Sequence, residues 1–264
     1  MTRAMDDDSA VFERDGIVVV RSVLDAQGVT TLRALGAHLE ATVPRSKHQL
    51  HVGRKPPESG PGLSAVMDQW INIWSHVDRE QRGAALACIE RAVFHVLGGL
   101  VVPFQDTFLS KTAAHSAFPW HQDLPFWPID RTDGAVSWVA LDDVDFRNGG
   151  VELVPGSHKG PVGPAIDLHT GLAQAGTTAP AARPTSGVLP TLSPGDGVIF
   201  HARTLHRSGR SASALPRRAF AMSWVHSCAR WCFHDVPRHP IRRLVREGEE
   251  VSRWSSLHYP RARG

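Results

Sequence analysis

The sequence predicts a mainly β protein with flanking helices, folded as a double-stranded β-helix of the cupin-like jelly-roll type. Helical periodicity is confined to the first part of the chain, whereas short β-rich runs separated by turn signals follow from Val101 onward. These runs cover residues 101–112, 135–145, 150–154, 188–202 and 217–226. Because no helical period interrupts them, they indicate an antiparallel sandwich or barrel with the helices packed on its outer face.

The 264 residues suit one domain, 1–264, with a helical N-terminal part at 22–100, a jelly-roll core at 101–226 and a C-terminal extension at 227–264. A composition of 42% hydrophobic and 21% charged residues is ordinary for a globular protein with a full core. The sequence has no apolar run of membrane-spanning length and no N-terminal signal pattern. We therefore expect no membrane partner and no secretion.

Charge and cysteine content narrow the partners and the compartment. The net charge is +3, and much of the excess is arginine at 238–264, without an aromatic-interleaved basic stripe. We therefore expect a solvated basic surface and no nucleic-acid partner. The three cysteines, Cys88, Cys228 and Cys232, cannot all pair and suit a reducing cytoplasm. Cys228 and Cys232 lack the second pair that a structural zinc site needs.

A strand and a helix are predicted first. Residues 11–20 end in a β-branched run after Gly16, which is typical of a strand. Asp25 is placed to cap a helix with one apolar face. That face carries Val29, Leu32, Leu35 and Leu39.

A second helix is predicted after Asp78, which forms a capping-box pattern with Gln81. Its apolar face carries Leu86, Ile89, Val93 and Leu97, and Gly98-Gly99 end it. The capping role of Asp78 argues against a metal site at His76-Val-Asp78. Further along, Asn148-Gly149-Gly150 marks a tight turn in which glycine is free to adopt positive φ.

A metal site is predicted at His121-Gln-Asp123. His-x-Asp alone is weak evidence, because fifteen histidines give roughly one such match by chance. In a strand, however, residues i and i+2 point to the same face, so both side chains would enter the barrel mouth. A third ligand from the segment 194–220, which holds His201 and His206, would complete the two-histidine, one-carboxylate arrangement of non-haem Fe(II) oxygenases.

Several motifs occur in one order along nearly the whole chain. They are Phe12-Glu-Arg-Asp-Gly16, Trp120-His-Gln-Asp123, Ser137-Trp-Val-Ala-Leu-Asp-Asp143, Asn148-Gly149, Val154-Pro-Gly-Ser-His158, Pro194-Gly-Asp196, and His206-x-Ser208-Gly209 followed by Arg217. By these motifs the chain resembles the phytanoyl-CoA dioxygenase (PhyH) family of Fe(II)- and 2-oxoglutarate-dependent oxygenases, which includes ectoine hydroxylases. The occurrence of all these motifs in one order is specific evidence for the resemblance, whereas a lone His-x-Asp is not.

The resemblance implies a role for each matching residue. His121, Asp123 and His206 would hold Fe(II). Arg217 would pair with the distal carboxylate of 2-oxoglutarate, and Ser208 would hydrogen-bond that carboxylate. His206 is preferred to His201 because Ser208 and Arg217 keep their spacing from it.

Four more residues carry weaker expectations from the resemblance. Ser137 and Trp138 would wall the cosubstrate pocket. Lys111 stands where many members carry a basic or amide residue, and Trp127 matches an aromatic on the substrate side of ectoine hydroxylases. Simple packing remains open for Trp127, and a solvated strand position remains open for Lys111. Arg218, the rival of Arg217, should point to the opposite face of its strand.

The resemblance implies O2-dependent oxidation, most simply hydroxylation, of a C–H bond in a small organic molecule, with succinate and CO2 as coproducts. Asp123 disfavours halogenation, because related halogenases carry a small residue there. Two alternatives stay open: a non-catalytic member that binds metal or 2-oxoglutarate, and a cupin-type metal oxygenase that does not use 2-oxoglutarate. We expect a natural-product-like or amino-acid-like substrate of secondary metabolism, and a lid from loop 44–64 or 159–187.

Overall fold

Two antiparallel sheets form the centre of a computed structural model that describes residues 2–42, 67–76, 79–163, 184–236 and 239–259. The helices are α1 (Thr2–Asp15), α2 (Ala26–Thr42), α3 (Arg79–Leu97) and α4 (Val251–His258). The strands are β1 (Ile17–Val20), β2 (Asp68–Ile71), β3 (Val101–Lys111), β4 (Phe118–His121), β5 (Gly134–Ala140), β6 (Val151–Leu153), β7 (Gly197–His201), β8 (His206–Ser208) and β9 (Arg217–His226). None of the described helices has the length and apolar character to cross a membrane.

The large sheet has six strands in the order β1-β7-β5-β9-β3-β2, and the small sheet has three in the order β4-β8-β6. Every pairing between neighbouring strands is antiparallel. This arrangement confirms the predicted jelly roll with flanking helices. The large sheet takes its two edge strands from outside the predicted core segment. One of them, β2, lies within the stretch 22–100 that was predicted to be helical.

The two faces of β3 have different partners, because side chains alternate along a strand. Gln105, Thr107 and Leu109 face the space between the sheets. Phe108 points the other way, toward α2, where a β-carbon at Gly36 would lie 2.0 Å from its ring. Only glycine fits at this crossing, so the helix lies close against the sheet. The predicted packing of helices on the outer face is therefore confirmed.

The predicted caps and apolar faces of the helices match the structure where it describes them. The Asp25 carboxylate accepts a hydrogen bond of 2.8 Å from the backbone N–H of Gly28 at the start of α2. Helix α3 ends at Leu97, and Gly98 follows with φ +78°. The apolar faces predicted for the two helices are largely buried at Val29, Leu32, Leu35, Leu39, Leu86, Ile89 and Val93. Asp78 and most of the predicted lid loops lie outside the described residues.

Helix α1 was missed by the sequence analysis. Its sequence is mostly polar, and contacts with α3 and with residues of the later strands and turns hold it to the rest of the molecule. Phe12 is buried, and the Asp8 carboxylate lies 3.0 Å from the His95 ring of α3. Contacts with distant residues, rather than local periodicity, therefore fix this helix.

Candidate metal and cosubstrate site

A cavity of about 190 Å³ lies between the two sheets. The large sheet contributes residues such as Trp138, Phe200 and Arg217, and the small sheet contributes His121 and His206. Strand alternation explains this lining, since each strand sends every second side chain inward. The cavity therefore joins residues that are far apart in the sequence.

His121, Asp123 and His206 form one cluster at the wall of this cavity. His121 ends β4 and His206 begins β8, and the two are direct partners in the register of the small sheet. The Nε2 atom of each histidine lies 3.6 Å from Asp123 Oδ1. The three ligand atoms lie within 4.8 Å of one another, which one metal ion can bridge. Within the described residues, no other group of three or more such side chains meets the same criterion.

Hydrogen bonds fix which ring nitrogen of each histidine faces this cluster. The Nδ1 atoms of His121 and His206 lie 2.9 and 3.0 Å from the carbonyl oxygens of Pro119 and Thr204. Each Nδ1–H donates to its carbonyl, so Nε2 keeps its lone pair for a metal. Two imidazoles and one carboxylate are a donor set that suits Fe(II).

Burial and charge set the protonation of the cluster. Burial and the neighbouring His121 together lower the pKa of His206 to about 4, so the ring is neutral at neutral pH. Burial alone would raise the pKa of Asp123, but the two histidines outweigh it and the net shift is downward. The cluster therefore presents a negatively charged carboxylate beside the neutral ring of His206.

The reason given for pairing His121 with Asp123 was wrong. Strand β4 ends at His121, and Asp123 has helical dihedral angles, φ −77° and ψ −35°, at the start of a short 3-10 turn. Its backbone N–H bonds to the carbonyl of Ala202 at 3.0 Å. A turn anchored to the end of β7, and not strand alternation, therefore brings the carboxylate to the histidines.

His201 lies outside the cluster, in agreement with the preference for His206. It ends β7 while His206 begins β8, so the two histidines belong to different strands. Its ring packs against His158, with centroids 5.3 Å apart, and against Phe12. Both His158 and His201 are therefore packing residues at the edge of the molecule.

Arg217 and Ser208 converge on one backbone carbonyl. Arg217 is 1% exposed, and its Nη2 donates to the Gly149 oxygen at 3.1 Å. Ser208 Oγ donates to the same oxygen at 2.6 Å. The Nε and Nη1 atoms of Arg217 are buried without a hydrogen-bond partner among the described residues.

This guanidinium is a ready carboxylate site. Burial lowers the pKa of Arg217 to about 10, so the side chain stays positively charged at neutral pH. A buried cation with N–H groups left unpaired has the charge and the donors that a carboxylate needs. The Trp138 ring lies under the guanidinium, 5.3 Å from it, and fixes its plane. The residues present therefore fit 2-oxoglutarate as well as the metal.

Lys111 is wholly buried and is the register partner of Arg217. It does not line the cavity itself, and its Nζ donates to the Ser116 carbonyl at 2.8 Å. Burial, together with the charge of Arg217, lowers its pKa to about 7. The solvated strand position left open for Lys111 was therefore wrong, and the residue lies behind the carboxylate site.

The prediction for Ser137 was wrong. Its Oγ accepts a hydrogen bond of 2.9 Å from Trp224 Nε1 and does not line the cavity. Trp138, the next residue on β5, does line it. Neighbouring strand residues face opposite ways, so both could not wall one pocket. Arg218 likewise points away from Arg217 and pairs with Glu40 at 3.0 Å.

The opposite end of the cavity holds residues that the sequence analysis did not single out. Trp127, expected there, is buried and lines the cavity. Gln105, Ser223 and His239 line it as well. Strand alternation would have indicated Ser223, because it lies an even number of positions after Arg217 on β9 and so faces the same side. No local signal marks His239, which comes from the C-terminal extension.

Comparison with known proteins places the chain in a family. The profile described as "Phytanoyl-CoA dioxygenase (PhyH)" matches residues 12–219. The chain belongs to this family, and the predicted resemblance is confirmed. The matched stretch includes all three residues of the metal cluster and Arg217.

Curated relatives align over part of their length. The probable alpha-ketoglutarate-dependent hypophosphite dioxygenase of Stutzerimonas stutzeri is 32% identical over 50% of this chain and 47% of its own. The L-proline trans-4-hydroxylase of Streptomyces griseoviridis is 32% identical over 56% of this chain and 60% of its own. The chain thus spans about half the length of the curated relatives it matches.

A solved structure aligns over almost the full length. The epimerase SnoN, in complex with Fe3+, alpha ketoglutarate and nogalamycin RO, is 25% identical with a TM-score of 0.74. The alignment covers 95% of this chain and 96% of SnoN. The jelly roll and its flanking helices are therefore shared along nearly the whole chain.

Proposed function

We propose that this protein is an Fe(II)- and 2-oxoglutarate-dependent oxygenase that oxidises, and most simply hydroxylates, a C–H bond of a small organic molecule. One observation carries the proposal: the histidine–aspartate–histidine cluster shares its cavity with a buried guanidinium that has two free N–H groups. A metal oxygenase that ignores 2-oxoglutarate has no need of that second feature. Family membership and the relatives named above support the same reaction class.

His121, Asp123 and His206 would hold the iron, and three protein ligands would leave positions open for other ligands. When bound, iron with 2-oxoglutarate and O2 supplies the oxidising chemistry, with succinate and CO2 as coproducts. Hydrogen bonds to the carbonyl oxygens of Pro119 and Thr204 hold the two histidine rings in the orientation that presents Nε2 to the metal position. The protein's own contribution at this end is therefore a preorganised ligand set.

Arg217 and Ser208 would bind the distal carboxylate of 2-oxoglutarate. Arg217 lies at the start of β9 and is buried, so the carboxylate would bind to it at a single position in the cavity. Ser208 stands two residues after the metal ligand His206 on β8, so the same short strand positions both ends of the cosubstrate. This coupling fixes the direction of the keto acid and leaves the rest of the cavity for the substrate.

Asp123 decides between two outcomes of this chemistry. Its carboxylate lies between the two histidines and takes the place that a halide would need. We therefore propose hydroxylation or a related oxidation rather than halogenation. We propose as well that the substrate belongs to secondary metabolism and that the enzyme works in the reducing cytoplasm, where ferrous iron and its three free thiols persist.

The test is anaerobic addition of Fe(II) and then 2-oxoglutarate to the purified protein, with detection of the weak visible charge-transfer band. We expect the band in the wild type and its loss in His206→Ala, because two ligands do not hold the chelate. His234→Ala is the matched control, since the His234 side chain is 88% exposed and lies outside the cavity. A colourless wild type, or a band that survives in His206→Ala, contradicts the proposal.

A further inference from the structure

The cavity has a second polar end, opposite the carboxylate site. Ser223 stands six positions after Arg217 on β9, which is about 20 Å along an extended strand. Gln105 of β3 is its direct register partner. The metal cluster lies on the other sheet across the same cavity. Gln105, Ser223 and His239, called here the far wall, therefore lie on the side left open for the substrate.

His239 is a hydrogen-bond donor of fixed direction in this wall. It is 6% exposed, and its Nδ1 accepts the backbone N–H of Ile241 at 3.3 Å, which caps a 3-10 helix. With Nδ1 acting as acceptor, the proton of the neutral ring is on Nε2. Burial lowers the pKa of His239 to about 4, so the neutral form prevails at neutral pH. Nε2 has no hydrogen-bond partner among the described residues.

The described residues around the far wall are uncharged. Ile71, Phe126 and Trp127, which line the same cavity, supply apolar surface at this end. Beyond the metal cluster and Arg217, Arg207 is the one charged residue among the described residues that line the cavity. Its guanidinium is neutralised by Glu152 at 2.6 Å. Within the part of the chain that the structure describes, a buried charge on a substrate would therefore find no free partner at this end.

We propose that the far wall binds an uncharged substrate through an acceptor oxygen, to which His239 donates from Nε2. Gln105 and Ser223 position the same polar group, and the apolar residues pack on the substrate's body. A carbonyl, ether or hydroxyl oxygen has the required acceptor chemistry. This inference rests on the proposed function and narrows it, because it excludes carboxylates, phosphates and ammonium groups from the reacting molecule's buried end.

The experiment measures succinate formation above the substrate-free rate with a matched panel. The panel contains aromatic and alicyclic ketones, ethers and alcohols, each with a carboxylate and an ammonium counterpart. We expect the neutral parents to stimulate turnover and their charged counterparts not to. Charged counterparts that stimulate as strongly as their parents overturn the proposal.

Variants then test His239 itself. His239→Asn keeps a side-chain oxygen for the helix cap and removes the ring nitrogen that serves the cavity. We expect its KM for the best neutral compound to rise roughly tenfold, with the KM for 2-oxoglutarate unchanged. Ser223→Ala should raise the same KM by a smaller factor, and His234→Asn, an exposed histidine of the same segment, should change nothing.

The outcomes separate this proposal from the one it rests on. An unchanged KM in both His239→Asn and Ser223→Ala overturns the far wall as a substrate site. The visible band of the iron–cosubstrate complex should persist in both variants, because neither residue touches the metal cluster. A wild type without that band is instead a failure of the proposed oxygenase function.

Discussion

The two ends of the cavity are built in different ways. At the cosubstrate end, Arg217, Ser208 and Gly149 form a closed, charged set held by hydrogen bonds. At the far wall, Gln105 and His239 are neutral, and one of them comes from a segment outside the sheets. In the proposed function, the first end would bind the distal carboxylate of 2-oxoglutarate, whose charge and shape are constant. The second end consists of neutral side chains from separate segments of the chain. The contrast suggests that substrate choice can change without disturbing the cosubstrate site.

The largest effect is expected from Arg217→Ala, which removes the buried partner of the carboxylate. Loss of one member of such a pair costs about 2–5 kcal/mol, so the affinity for 2-oxoglutarate should fall about 30-fold or more. Titration of the visible band measures this affinity. Arg218→Ala is the control, because Arg218 pairs with Glu40 on the opposite face. An equal loss of 2-oxoglutarate affinity in both variants would contradict the specific role given to Arg217.

A smaller effect is expected from Gly149→Ala. Gly149 has φ +75°, and a β-carbon there would lie 2.8 Å from the Gly209 oxygen and 2.9 Å from Lys111 Cδ. Strain and displacement of the shared carbonyl should cost about 1–3 kcal/mol of stability and weaken 2-oxoglutarate binding.

Gly156→Ala provides the matched control, since Gly156 has φ +77° with nothing near its β-carbon position. It shares the backbone strain without the collisions. Thermal unfolding should therefore show a smaller loss, and 2-oxoglutarate binding should be unchanged. If Gly156→Ala is the more damaging variant for cosubstrate binding, the role given to the Gly149 carbonyl is wrong.

The smallest effect on ligand binding is expected at Asp106, on the outer face of β3 beside Gln105. Tyr259 donates to its carboxyl at 2.9 Å and ties α4, at the end of the C-terminal extension, to the sheet. Burial raises the pKa of Asp106 from 3.8 to about 7. The folded protein therefore holds a proton that the unfolded chain releases, and stability contributed by this group is lost as pH rises from about 4 through 7.

Asp106→Asn should flatten that dependence, because the amide has the same shape and does not titrate. Chemical denaturation at several pH values between 5 and 8 measures the difference. We expect the variant to gain stability relative to the wild type as pH rises, with the cosubstrate end unaffected. An identical pH slope in both proteins would show that Asp106 does not titrate in this range.

The sequence predicted the cosubstrate end better than the far wall for a physical reason. His206, Ser208 and Arg217 keep a spacing that two short strands impose, so their order along the chain carries the geometry. Ser137 was wrongly assigned to the cavity because a motif match gives the residue's position in the chain but does not show which face of the strand its side chain occupies. His239 could not be found, since its place in the cavity depends on how the C-terminal extension packs.

Fold prediction had the same limit. Residues 101–111 and 217–226 are rich in apolar and aromatic residues, and both are strands. β2 and α1 lack such patterns and owe their form to partners elsewhere, β3 for the strand and α3 for the helix. Local periodicity therefore predicted the centre of the large sheet, and tertiary contacts decided its edges.

The pairing of His121 with His206 has a consequence beyond chemistry. The two residues are far apart in the chain, yet they meet in a small sheet whose β4–β8 register rests on two residue pairs. An ion held by both would close a long loop, much as a disulfide does in a secreted protein. We therefore expect iron to raise the thermal midpoint, by an amount that grows with the logarithm of the free iron concentration above its Kd. In iron-starved cells the protein would then be lost to proteolysis instead of accumulating inactive, so its abundance would follow the iron supply.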